Sequence, residues 1–404
     1  MSQDVTATVP PVGVRRNVGI LAISQALFMC ITTMAIATTP LAGHALLGVD
    51  KTFATLPLVL NHVGIMLMTV PASLLMGRIG RRAGFTIGSL IAILSGAISL
   101  YAIYTKSFEL LCVGALLTGF SSAFAWYYRF AAADAADEAY RPKAIALVMA
   151  GGLIAGIIGP QTAKWSLHWL DPMVFAGVYV MTMIFAAIAV VVVQGIRIPT
   201  LTKAERADGG RPMSEIIRQP AYIVALSSSM FGYGVMTLVM SATPLAMLAC
   251  GFQFNDSATV IQGHVIGMFL PSFFTGHLIA RFGVLRIISA GALIQMGCAV
   301  VNLAGIDFMN FFIANVLVGI GWNFTYIGGS TLLTTTYRPA ERAKVQASHD
   351  FCVYATTATA AGLSGVLQAR AGWDIVNIAA LPLMGLVMIS ALALSRYQAR
   401  QAAT

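Results

Sequence analysis

Two histidines, His62 and His264, stand inside long apolar runs, where an ionisable side chain is expensive to keep and is usually kept for function. Each falls about seven residues from the outer end of its run, roughly 10 Å deep at the helical rise per residue. An imidazole there exchanges a proton across the physiological pH range, so the two could couple proton entry to the closing of an outer gate. The plainer alternative is a neutral ring bonded to a helix neighbour such as Asn61. The 15 Asp and Glu all fall in loops, tails or helix ends, so no carboxylate is expected at the bilayer centre. Among them Asp350, at the mouth of the eleventh apolar run, is the best placed to release a proton.

A second group of residues could hold a ligand. The fourth run ends in Phe120, Phe124, Trp126, Tyr127, Tyr128 and Arg129, and the tenth carries Asn315, Trp322, Asn323 and Tyr326. Trp and Tyr join a flat apolar surface to one polar atom, which suits a planar, partly polar solute. An interfacial aromatic belt would account for residues 126 to 129, but belts do not reach as deep as Trp322 and Asn323. Gln25, Phe28, Met29, Thr32 and Thr33 in the first run, with Ser227, Ser228, Ser229 and Tyr233 in the seventh, add hydrogen-bonding groups at depth. Small hydroxyl residues also serve plain helix packing; a buried Gln is costlier. Gly151, Gly152, Gly156, Gly159 and Pro160 in the fifth run make a flexing element.

The elements that must position these residues follow from composition. The 404 residues are 58% apolar and 10% charged with mean hydropathy +0.82, against roughly 25% charged residues in soluble domains. This is an all-α membrane protein. Twelve crossings are expected near 17–39, 55–76, 84–104, 108–130, 144–164, 172–193, 220–242, 257–279, 287–305, 308–330, 345–368 and 374–395. They form two six-helix bundles, 17–193 and 220–395, flanked by a tail (1–16), a polar linker (194–219) and a second tail (396–404). Little remains for a soluble domain, and the 5 cysteines have neither zinc nor disulfide spacing. H-E-x-x-H, G-x-S-x-G and G-x-x-x-x-G-K-[ST] are absent, so neither an intramembrane enzyme nor an ATP-driven pump is indicated, and no cofactor or metal is called for.

Net charge +9 raises the question of nucleic acid, and topology answers it. With the N-terminus inside, only Lys51, Lys106, Lys164 and Arg370 of the 24 basic residues fall outside. That asymmetry is the positive-inside bias, so both termini are expected in the cytoplasm and no anionic partner is needed. The halves also echo one another. Gly64, Arg78 and Gly80 meet Gly267, Arg281 and Gly283 at an offset of 203; Phe108, Gly119 and Phe124 meet Phe308, Gly319 and Phe324 at 200; Tyr140-Arg141-Pro142 meets Tyr337-Arg338-Pro339 at 197. Three matches in equivalent places indicate a parallel duplication.

Ser73 to Arg82, with an echo at Gly276 to Leu285, resembles the inner-loop motif of the major facilitator superfamily of secondary transporters, and the resemblance covers essentially the whole chain. Gly77 and Ala280 stand where the motif has Asp, and Ala115 where an Arg is frequent. The stretch Tyr337 to Lys344, followed by His349-Asp350-Phe351, resembles a bacterial subgroup, and the chain is broadly similar to bacterial riboflavin carriers of the superfamily. The resemblance implies two bundles rocking about a central site lined by the first, fourth, seventh and tenth helices, in a bacterial inner membrane. The expected function is alternating-access transport, proton-coupled or facilitative, of a small neutral or singly charged, partly aromatic solute such as a vitamin. A multidrug or metabolite proton antiporter is the alternative. The expected partners are this solute, the lipid bilayer and protons, the carrier being a monomer. Arg78, Arg81, Arg82 and Arg281 in the motif loops, with Glu341 and Arg342, are the expected gating residues, with acids such as Asp134 bridging to Arg81, Arg82 or Arg286 when the inner gate shuts.

Overall fold

The structure, a computed structural model, describes residues 12–47, 56–198 and 210–403. The tail before Val12, Lys51, and the linker residues Lys203 and Arg206 lie outside the described residues. Twelve helical crossings follow in order: α1 (Val12–Leu46), α2 (Leu56–Ile79), α3 (Arg81–Thr105), α4 (Phe108–Ala125 and Tyr128–Ala135), α5 (Arg141–Ser166), α6 (Ala176–Val193), α7 (Pro220–Ala249), α8 (Phe254–Phe269 and Ser272–Phe282), α9 (Val284–Ala304), α10 (Phe308–Leu333), α11 (342–371) and α12 (373–403). No strand occurs among the described residues. Among the described residues, eleven stretches are long and apolar enough to span a bilayer. The remaining crossing, α11, carries His349, Asp350 and several Thr, which lower its hydropathy.

The helices begin and end where local chemistry dictates. Gly80 between α2 and α3 and Gly283 between α8 and α9 hold φ of 88° and 87°, and Gly372 between α11 and α12 holds 83°. A left-handed backbone of this kind disfavours any Cβ. Gly80 and Gly283 are partners in the sequence repeat, so the sharp turn is duplicated with the motif. Pro271, lacking an amide hydrogen, coincides with the break in α8. The break in α4 has no Pro or Gly and is held by side chains described below.

Glycine also sets the spacing between helices. A methyl group on Gly64 would collide with the carbonyl oxygen of Leu116, and one on Gly319 with that of His264, so α2–α4 and α8–α10 approach backbone to backbone. Their repeat partners, Gly267 and Gly119, meet backbone carbonyls at the same two crossings, those of Val316 and Asn61. Large apolar side chains such as Ile157, Val191 and Leu293 face outward, 63%, 72% and 60% exposed, as a lipid-facing surface requires.

The halves meet along two seams. At α2–α11, the Ser73 hydroxyl donates to the Ala343 carbonyl at 2.8 Å. At α5–α8, glycines take the rings and stems of the opposite half: Gly152 sits against Phe269, Gly156 against Val265, and Gly276 against the backbone of Pro142 and Lys143. The side-chain hydrogen bonds and ion pairs that join the bundles through Ser73, Arg81, Arg129 and Arg342 lie toward the face that carries the linker and the chain ends. That face is closed.

Candidate functional site

Between the halves lies a cluster of rings drawn from both. Trp322 and Tyr326, four residues apart on one face of α10, stack at 5.1 Å with planes 17° apart. Tyr233 of α7 meets them edge-on at 5.4 and 5.2 Å. Trp126, at the break in α4, lies 6.3 Å from Tyr326, 5.9 Å from Tyr354 of α11 and 5.6 Å from Phe28 of α1. Phe269 of α8 closes the group, 5.8 Å from Trp322. All are buried except Tyr233, which keeps partial exposure. In this state the rings themselves pack together at that level, so a solute enters only as the rings or the halves part.

The cluster has polar atoms without partners. The indole nitrogen of Trp322 makes no hydrogen bond, nor does the amide nitrogen of Gln25, one turn before Phe28 on α1, nor the Ser229 hydroxyl. Buried donors are nearly always satisfied, and each of these three stands on a helix that also gives a ring to the cluster. The other sequence-identified candidates divide. Met29 and Phe28 are buried on α1, and Thr32 and Thr33 bond their own helix at Phe28 and Met29. Ser228 donates to the Thr325 carbonyl, joining α7 to α10. Asn315 bonds Thr243 and Phe311, while Asn323 donates to Met268 and Ser272 and accepts from Thr275, satisfying the backbone and hydroxyl groups around the α8 break. Phe124 packs over Gly88 within the first bundle. The Tyr127 hydroxyl donates to the Thr69 carbonyl under the Arg81 guanidinium.

Arg129 lies beneath the rings, away from solvent at 1% exposure. It donates to Asp350 of α11 at 2.5 Å, to Ser330 of α10 at 3.2 Å and to the Trp126 carbonyl, one of the acceptors released where α4 breaks. Its guanidinium lies 4.2 Å from the Phe130 ring centroid and 4.8 Å from that of Tyr326. Asp350 is fully buried, and its Oδ1 also meets Nδ1 of His349 at 2.8 Å. Asp350 Oδ2 and His349 Nε2 have no partner. This corrects two expectations. Asp350 is not at a solvated helix mouth, because α11 starts earlier than its apolar run and carries the carboxylate inward. Nor do all the acids fall in loops, tails or helix ends: Asp350 lies buried within α11, in a salt bridge that joins the halves below the rings.

Nearer the linker face, Arg81 pairs with Asp134 at 2.8 Å and reaches Gln346 across the seam at 2.6 Å, while Arg342 approaches Asp134 from the other half at 3.6 Å. Arg82, Arg281 and Arg286 are exposed, and Arg281 lies over the neighbouring Phe282 ring. Arg78 is exposed at the end of α2. The hydrogen bonds of Glu341 go to the linker and to its own turn, not to the first bundle. Glu341 is buried and held by Arg211 of the linker through three hydrogen bonds of 2.7 to 2.9 Å, and it caps Arg338. The Arg211 side chain and these backbone donors hold its carboxyl down at about 2. His62 contacts the Leu58 carbonyl at 3.0 Å on its own helix; His264, fully buried, contacts that of Asn315 at 2.9 Å.

Sequence reasoning missed Tyr354, Ser330 and Phe269. The signal for Tyr354 was its position four residues after Asp350, one helical turn along the same face.

The comparisons decide the family. Residues 21–261 match the model of the Major Facilitator Superfamily. The chain belongs to the major facilitator superfamily. Within the superfamily it is 38% identical over 377 residues to the riboflavin transporter RfnT of Brucella anthropi, covering 93% of this chain and 94% of that one. In fold it is similar to the fucose transporter FucP in its outward conformation, with TM-score 0.75, 16% identity, and coverage of 93% and 97% of the two chains. It is likewise similar to the human organic anion transporter MFSD10, with TM-score 0.78, 14% identity, and coverage of 94% and 100%. The chain is a secondary transporter of the multi-pass, twelve-helix, two-bundle kind, not an enzyme.

Proposed function

We propose that this transporter carries riboflavin or a closely similar planar, partly polar heterocycle. The likeness to the Brucella transporter along nearly the whole chain carries this reading. The aromatic cluster supports it independently: stacked rings offer faces for a flat solute, and the unpartnered donors of Trp322 and Gln25 offer hydrogen bonds to ring carbonyls or nitrogens. The substrate-binding set is Trp126, Tyr233, Trp322, Tyr326 and Tyr354 around Gln25 and Phe28. Bundles 17–193 and 220–395 rock about it, both termini cytoplasmic, in a bacterial plasma membrane, with the monomer as the working unit.

The same proposal assigns the switch. Protonation of Asp350 removes the charge that holds Arg129, so the halves separate at the linker face; the groups facing the carboxylate are Arg129, His349 and the nearby Tyr326 and Tyr354. The test is riboflavin binding to the purified transporter by flavin fluorescence quenching, followed by uptake into proteoliposomes with and without a pH gradient. Trp322→Ala is expected to abolish binding; unchanged affinity would refute this assignment. His62→Gln with His264→Gln is expected to leave gradient-driven accumulation intact, because both rings already contact backbone carbonyls. A flattened pH profile in that double variant would move the coupling site from Asp350 to the histidines.

A further inference from the structure

A groove of about 660 Å³ runs along the lipid-facing side of α1 and α5, lined at its linker-face end by Arg15 and Tyr140 and further along by Gly19, Ile23 and Ile154. Phe273 of α8 borders it, so its wall includes the opposite half at the α5–α8 seam. From Arg15 to the last α1 residue lining it, Cys30, the rise is roughly 22 Å along the helix. A bilayer core is about 30 Å thick. The groove therefore spans one leaflet and its interface rather than the whole membrane. Its walls are apolar, while Arg15 at the mouth is exposed and makes no ion pair among the described residues.

We propose that this groove is a binding site for a phospholipid with an anionic headgroup, drawn from the leaflet at the linker face. An acyl chain lies between α1 and α5, and the phosphate meets Arg15, beside the interfacial Tyr140. A cation at one end of a one-leaflet apolar trough has the chemistry of that lipid and not of the transported solute. The site is separate from the aromatic cluster and stands or falls without it.

Gly19 supplies the test. A Cβ there meets nothing within 4 Å, so Gly19→Leu projects into the groove without forcing the helices apart. The transporter is purified in detergent, mixed with phosphatidylglycerol or phosphatidylcholine, and the retained lipid is counted by native mass spectrometry. The wild type is expected to retain phosphatidylglycerol about fivefold better than phosphatidylcholine, the preference one interfacial cation supplies. Gly19→Leu is expected to lose the retained lipid while keeping its riboflavin response or, failing that, its thermal unfolding midpoint. Arg15→Gln is expected to keep lipid but lose the headgroup preference. Equal retention of the two lipids by the wild type, or undiminished phosphatidylglycerol in Gly19→Leu, overturns the proposal.

Discussion

The two seams that join the bundles are equivalent in the repeat, yet they are built from different chemistry. The α5–α8 seam is glycine against bulky side chains, with Gly152, Gly156 and Gly276 letting the opposite half approach. The α2–α11 side carries Ser73, Arg81, Arg342 and Gln346, with the Arg129–Asp350 pair behind them. At the repeat offsets Arg129 corresponds to Gly329, Asp350 to Leu153, Arg81 to Val284 and Asp134 to Thr334, so the charges have no counterparts. A two-bundle frame thus closes well enough without charge. The proposed switch falls on the charged seam because an ion pair can be undone by a proton and a packed glycine cannot.

The largest expected effect comes from breaking that asymmetry. Asp350→Asn or Arg129→Gln leaves an uncompensated or poorly bonded group in a buried site and is expected to cost about 3–5 kcal/mol of stability. The double variant Arg129→Met with Asp350→Leu makes the charged seam resemble the other and is expected to recover most of that loss, since apolar replacements of buried pairs are often neutral. It should unfold near the wild-type midpoint in detergent but lose pH-gradient-driven uptake. A double variant that accumulates substrate normally would show that the charged seam is only structural.

The second effect concerns how the linker is tied to the charged seam. Arg211 fastens the linker to Glu341 immediately before Arg342, which reaches across to Asp134. Glu341→Gln should cost about 1.5–3 kcal/mol, the range for a charge-assisted bond. The sign with pH follows from the depressed carboxyl. Its contribution is complete above the ordinary value of 4.5 and disappears as pH falls toward about 2. The gap between the unfolding midpoints of wild type and Glu341→Gln is therefore expected to be constant near neutrality and to narrow as acid is added below that ordinary value. A gap insensitive to acid would place the effect in packing.

Much of the frame was legible in the sequence because close packing leaves a periodic trace. Gly64 and Gly267, Gly119 and Gly319, and Gly80 and Gly283 recur at near-constant offsets, and each holds a contact or a backbone angle that a side chain would spoil. The aromatic cluster was partly legible: Trp322, Tyr326, Trp126 and Tyr233 converge, but Phe124 turns into its own bundle and Asn315 and Asn323 are consumed by neighbouring helices. The buried salt bridge was not legible. Hydropathy starts α11 near residue 345 and leaves Asp350 at its edge, whereas the helix begins at Arg342, after the Pro339–Glu341 turn capped by Glu341. Hydropathy marks where apolar side chains begin, and a helix entering through protein can begin in polar sequence. Arg129 was singled out as a ligand-binding residue at the end of its aromatic run, but its pairing with Asp350 was not legible, since nothing in its neighbourhood announces the break that turns it inward.

The smallest effect tests the uncharged seam. A Cβ at Gly276 would stand 2.6 Å from the Cα of Lys143, and backbone cannot swing aside. Gly276→Ala is therefore expected to wedge the linker face open at about 1–3 kcal/mol, the cost of overpacking. At Gly152 the nearest atoms to the added methyl would be those of the Phe269 ring, 2.5 Å away, and a ring can rotate. Gly152→Ala should be milder. The readout is labelling of a cysteine introduced at Ala343, in a chain whose 5 native cysteines are replaced. Faster labelling in Gly276→Ala than in Gly152→Ala would mean that wedging one seam loosens the other, as rigid bundles require. If Gly276→Ala labels no faster than its parent, the seams open independently, and the Arg129–Asp350 pair would govern only its own side of the transporter.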